Sequence, residues 1–144
     1  MKMLALMLTI LLVGCSTIDY SGTILSKATI NNIVVDERTD DSLTVSFNYQ
    51  IENYQQLDGL YYCKIHFFSE SGKVVTLRSI TNKYTCQITR DMGTNKVTSK
   101  IPQKFGDFIP EYPLKIVLAV HQKIGNKKSK IIGQHLVDTI EKTI

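Results

Sequence analysis

From Leu43 to Glu52 apolar and polar residues alternate without a break: Leu43, Val45, Phe47, Tyr49 and Ile51 fall on one phase, Thr44, Ser46, Asn48, Gln50 and Glu52 on the other. A period of two places each set on one face of an extended strand, so one face is expected in a core and the other in water. The same reading along the chain predicts strands over about Thr29–Glu37, Ser42–Asn53, Leu60–Glu70, Lys73–Ile80, Lys83–Arg90, Asn95–Ile101, Leu114–Lys123 and Lys127–Thr139. Between them lie the turn signals Asp40-Asp41, Asp58-Gly59, Ser71-Gly72, Met92-Gly93 and Gly125-Asn126. Gly125-Asn126 reads as a hairpin turn, since both residues tolerate the positive φ of a two-residue loop. Pro102, Pro110 and Pro113 forbid a central strand or a long helix between 102 and 113, which is therefore expected to cross between sheets or cap an end. No long segment follows a helical period.

Closely spaced strands without helical crossovers predict antiparallel sheets. The stretch Phe108-Ile109-Pro110-Glu111-Tyr112-Pro113 leading into Leu114–Val120 resembles the approach to the sixth strand of immunoglobulin-like and fibronectin-type-III-like domains. That resemblance implies an all-β fold, an antiparallel β-sandwich of seven or eight strands, immunoglobulin-like; a transthyretin-like sandwich gives much the same pattern. The chain has no Trp for such a core, Leu114 stands where a corner Tyr is expected, and the likeness carries architecture without function.

The N-terminus has a different pattern. Lys2 precedes an uncharged apolar run from Met3 to Leu12, which ends in Leu12-Val13-Gly14-Cys15. The run is half the roughly 20 residues that a membrane-spanning helix needs, and its charge, apolar run and small-residue ending follow the layout of an export signal. Leu-Val-Gly-Cys resembles the lipobox of bacterial lipoproteins. This implies cleavage after residue 14 and diacylation of Cys15, and Ser16, in place of the Asp that marks inner-membrane retention, implies the outer membrane where the cell has two. The expected organisation is thus a signal peptide (1–14), a lipidated Cys15 and polar tether (15–27), and a sandwich domain (28–144).

The 144 residues, 43% of them hydrophobic and 21% charged, suit one globular domain and exclude a disordered chain. The net charge of +4 is mild but uneven. Between Lys96 and Lys130, lysines at 96, 100, 104, 115, 123, 127, 128 and 130 face only Asp107 and Glu111. Such a patch fits an acidic protein partner, anionic lipid or lipopolysaccharide phosphates, or simply a strand edge guarded against aggregation. It lacks the interleaved Arg and aromatics of a nucleic-acid surface, so no nucleic acid partner is expected.

Once Cys15 carries lipid, Cys63 and Cys86 remain. An even remainder in an exported chain points to one disulfide, and both residues lie on apolar phases, Tyr61-Cys63-Ile65-Phe67 and Tyr84-Cys86-Ile88. No nucleophile elbow, phosphate-cradling Gly-rich loop or His-Glu-Xaa-Xaa-His is present, so no catalytic residue and no cofactor are assigned. His66, His121 and His135 each fall in a predicted strand and converge only where those strands are neighbours. With His66 on the phase of Lys64 and His121 opposite Leu114-Ile116-Leu118-Val120, all are expected to face solvent, and no metal site is assigned.

Aromatic doublets give the better lead. Tyr61-Tyr62 and Phe67-Phe68 must each send one ring to either side of a strand, so Tyr62, Lys64, His66 and Phe68 form an outward row of mixed apolar and cationic character. This row and the lysine tip at Lys123, Lys127, Lys128 and Lys130 are the expected partner-binding residues. The resulting expectation is a lipid-anchored, non-enzymatic binding or adaptor module of the bacterial envelope, outer-membrane-attached on the periplasmic side or at the cell surface, with an envelope protein as partner. The alternatives are an exclusion or inhibitor lipoprotein of the phage or plasmid kind, which occludes a receptor or machine, and an envelope hydrolase.

Overall fold

The computed structural model describes residues 19–20, 22–72, 84–102 and 111–141. The lipobox with Cys15, the predicted strand Lys73–Ile80 and the middle of the proline-rich crossing lie outside the described residues. Seven strands are described: β1 (Lys27–Arg38), β2 (Ser42–Glu52), β3 (Tyr61–Phe68), β4 (Thr85–Ile88), β5 (Met92–Lys100), β6 (Leu114–Gly125) and β7 (Lys128–Ile140). All neighbours pair antiparallel, in a three-stranded sheet of order β1-β2-β5 and a four-stranded sheet of order β4-β3-β6-β7. The fold is the expected antiparallel β-sandwich, with an immunoglobulin-like strand order in which the fourth strand sits beside the third.

The alternation in β2 explains the layering. Leu43, Val45, Phe47, Tyr49 and Ile51 are buried, and they meet Tyr61, Cys63, Ile65 and Phe67 of β3 and Ile116, Leu118 and Val120 of β6 in one core. At about 25 cal/mol per Å² of buried apolar surface, each of these large side chains contributes roughly 1.5–3 kcal/mol, which fixes the register of both sheets. On the other side of β2 the polar phase stays wet. There Thr44 hydrogen-bonds Thr98 across to β5 at 2.9 Å, and Thr94 donates to Asn48 at 2.8 Å.

Cys63 and Cys86 are direct partners across β3 and β4, both buried, and they form a disulfide. Asp40-Asp41, Asp58-Gly59 and Ser71-Gly72 lie at turns or bends, with Gly59 and Gly72 in the left-handed region at φ 72° and 79°. Two turn expectations are corrected. Met92 and Gly93 open β5 instead of preceding it, pairing with Gln50 and Tyr49, and the bend lies at Arg90-Asp91. The β6–β7 loop is Asn126-Lys127, closed by Gly125 opposite Lys128, and none of these residues has a positive φ.

Part of the stretch expected to be a tether (15–27) packs on the domain. Tyr20 is buried in the core, and Ser26 is buried where its backbone N–H donates to Gln122 Oε1 at 2.7 Å. Gln122 Nε2 donates in turn to the Ile24 carbonyl at 2.8 Å, and the Ser26 hydroxyl lies 2.7 Å from that of Tyr61. Residues 24–26 are therefore clamped onto β3 and β6, so the packed domain begins by Tyr20 rather than at residue 28.

Register shifts in β7 opposite Ile116/Val117 and Val120/His121 mark bulges, which bend this edge strand toward β1 of the other sheet. Two contacts seal that side: Arg38 to Asp138 at 2.6 Å, and Gly133 against Ala28, so close that a Cβ on Gly133 would lie 2.2 Å from the Ala28 carbonyl oxygen.

Candidate functional site

The outer face of the four-stranded sheet carries the site. On β3, Tyr62, Lys64, His66 and Phe68 point away from the core and are half-buried, as the doublets require. Register sets their neighbours on β6: Tyr62 is opposite His121, Lys64 opposite Ala119, and His66 opposite Val117. On β7, Ile131 pairs with His121 and Leu136 with Val117, and these two apolar side chains are 38% and 51% exposed. The face thus carries aromatic and aliphatic groups in contact with water between cationic ones, a composition that favours partner contact.

His66 and His121 are four positions out of register, yet their rings meet over the small Ala119, Nε2 to Nε2 at 2.8 Å. One ring donates and the other accepts. Tyr62 stacks flat on His121, with centroids 4.7 Å apart and planes at 5°. The Ser129 hydroxyl on β7 ties the cluster together, lying 2.7 Å from the Tyr62 hydroxyl and 3.1 Å from His121 Nδ1. Burial, then the neighbouring His66 and Lys64, pushes His121 down to about 4; burial and then Lys64 lower His66 as well. Both rings are therefore neutral at pH 7. The expectation of a solvent-facing His121 is corrected: it lies on the outer phase but is only 7% exposed, covered by Tyr62 and His66. His135 does not join them. It is exposed, with Nδ1 2.8 Å from the Leu136 carbonyl oxygen, and among the described residues no group of three potential ligands forms a metal site.

Beside this cluster a shallow basin of about 310 Å³ joins the aromatic row to the lysine tip. Tyr62 and Lys64 form one wall, Thr85 and Gln87 of β4 extend it, and Lys123, Lys127, Lys128 and Ser129 close the other side around the β6–β7 loop. Among the described residues no carboxylate lines it. The ion pairs among the described residues, Arg38–Asp138 and Lys96–Asp36, leave these lysines out. Lys130 is apart from the basin: it pairs with the buried Gln122 and belongs to the opposite phase of β7. Phe68 lies farther along the row, its ring 6.1 Å from that of His66.

Two residues that matter to this geometry had no signal in the sequence. Gln122 looks like an ordinary polar position at the end of a strand, and Ser129 acquires its role only from the register of β6 and β7. Comparison of the chain with known protein-family models and with curated proteins finds no match to either.

Proposed function

We propose that this chain is a lipid-anchored, non-enzymatic binding or adaptor module of the bacterial envelope, attached to the outer membrane through Cys15 and engaging an envelope protein through the outer face of its four-stranded sheet. The observation that carries the binding half is the basin that joins Tyr62 and Lys64 of the aromatic row to Lys123, Lys127 and Lys128 of the tip, half-buried aromatics beside a lining with no carboxylate among the described residues. Support for anchorage comes from the lipobox-like Leu12–Cys15. Aromatic groups held by stacking and hydrogen bonds bind at low entropic cost, and lysines around them steer an acidic partner. An exclusion or inhibitor lipoprotein would use the same face, with occlusion of its target as the outcome.

Anchorage is tested by growth with labelled palmitate: the wild-type chain is expected to incorporate label and to require detergent for extraction, and Cys15→Ser to lose both. Label retained in Cys15→Ser contradicts anchorage. For the face, a partner co-purified with the wild-type chain is compared across Tyr62→Ala and a Lys127→Ala, Lys128→Ala double variant at two ionic strengths. Tyr62→Ala is expected to cost about 2 kcal/mol or more through faster dissociation, and the lysine variant to slow association and flatten its salt dependence. If neither changes, the face is wrongly assigned.

A further inference from the structure

We propose that the basin between Tyr62, Lys64, Gln87, Lys123, Lys127 and Lys128 binds a phosphate- or sulfate-bearing group, and that the adjoining His66–His121 pair takes up one proton as that anion binds. The proposal deepens the binding reading and rests on it for the choice of face. Its ligand class follows from the lining. Lysines arrive from three directions, on β3, β6 and the β6–β7 loop; Tyr62, Ser129, Thr85 and Gln87 add hydroxyls and an amide to the lining; and no acidic side chain among the described residues joins it. A tetrahedral oxyanion accepts from several ammonium and hydroxyl donors at once, and a basin of about 310 Å³ holds such a group with a small attached headgroup.

The link to the histidines is geometric. Tyr62 and Ser129 belong both to the basin wall and to the cluster: Tyr62 lies flat against His121, and Ser129 bridges the Tyr62 hydroxyl and His121 Nδ1. Lys64 is the charged side chain that acts on both rings, and it lines the basin together with Lys123 of β6, Lys128 of β7 and Lys127 of the loop, whereas β4 presents the uncharged Thr85 and Gln87. Burial and Lys64 keep both rings neutral in the free protein. An anion in the basin offsets the lysine field, so protonation becomes easier when the site is filled. A single added proton does not break the contact, because a cationic His121 still donates from Nε2 to a neutral His66. By linkage the anion must then bind more tightly in acid.

Sulfate is the probe for pH dependence, since its charge is constant between pH 5 and 8. Titrated into the full chain in detergent and followed by NMR, sulfate is expected to shift Tyr62, Lys64 and the 126–129 amides and to bind roughly three- to tenfold more tightly at pH 5.5 than at 7.5. The imidazole Cε1–H resonance of His121 in the unaltered protein is expected to titrate at higher pH when sulfate is present. His121→Gln should retain binding at pH 7.5 and lose most of the pH dependence, and Lys127→Ala with Lys128→Ala should weaken binding roughly tenfold. Sulfate that leaves the basin resonances unmoved overturns the site; an unchanged His121 titration in the unaltered protein, or equal pH dependence in His121→Gln, overturns the proton linkage. Inorganic phosphate and dihexanoyl phosphatidic acid separate the sources: equal affinity assigns the free oxyanion, and much tighter lipid binding assigns a headgroup. Partner capture through Tyr62 without sulfate binding would remove this proposal and leave the binding reading standing.

Discussion

Gly133 shows how much one missing side chain decides. Its backbone lies against Ala28 of the facing sheet, and a methyl group there would meet the Ala28 carbonyl oxygen at 2.2 Å and carbon at 2.8 Å. Backbone has to move, so Gly133→Ala is expected to cost about 2–4 kcal/mol in urea unfolding. Gly125→Ala, whose nearest neighbour would be Lys128 Cβ at 3.9 Å, is expected to be nearly neutral. The histidines supply a second prediction at this scale. His121 is held at about 4 by burial, then by His66 and Lys64, below the ordinary value near 6.5 that it regains on unfolding. The unfolded chain then binds more protons, so the stability tied to the neutral ring is complete above about pH 6.5 and is lost as pH falls toward 4. The loss is on the order of 2 kcal/mol, with His66 acting in the same direction, and urea midpoints at pH 7 and 4.5 measure it. A midpoint independent of pH over that range would contradict it. The outward phase of Tyr62, Lys64, His66 and Phe68 was legible because period two leaves no choice for a strand. The burial of His121 was not, since it depends on two rings meeting four positions out of register over an alanine.

Strands were read closely where alternation was strict. β2 begins at Ser42 and ends at Glu52, within one residue of the pattern's bounds, because its apolar phase has only one way to face a core. The β4–β5 connection was misread for a local reason: Met92-Gly93 has turn chemistry, yet the ladder to Gln50 and Tyr49 draws both into β5. Likewise Gly125-Asn126 lost its positive-φ turn to a loop displaced by one residue, in a hairpin whose register shifts between Lys123 and Gly125. The disulfide was legible from parity and phase together, and it ties the four-residue β4 to β3. Removing it with Cys86→Ala is expected to cost about 2–5 kcal/mol, and alkylation of unreduced, denatured protein is expected to find neither thiol of the pair free. On the opposite side of β3, Gln122→Leu removes two hydrogen bonds that hold residues 24–26. It is expected to cost about 2 kcal/mol and to speed amide exchange at Ser26; exchange unchanged at Ser26 would show that the clamp is not needed.

In the molecule as a whole, the two sheets present unlike faces to solvent. The three-stranded sheet shows hydroxyls and amides already paired with one another, Thr44 with Thr98 and Thr94 with Asn48, and single exposed apolar side chains, Val34 and Met92, with no aromatic row among its described residues. The four-stranded sheet shows half-buried aromatics, exposed Leu136 and Ile131, and the lysine basin. This asymmetry is the basis for placing recognition on one side, and the clamp at residues 24–26 ties the N-terminal end of the described domain to β3 and β6. A photo-reactive residue tests that placement in living cells, introduced at position 68 on the four-stranded face or at position 98 on the three-stranded one. The account predicts a discrete cross-linked envelope protein from position 68 and none from position 98; adducts from 98 alone, or equally from both, would contradict it.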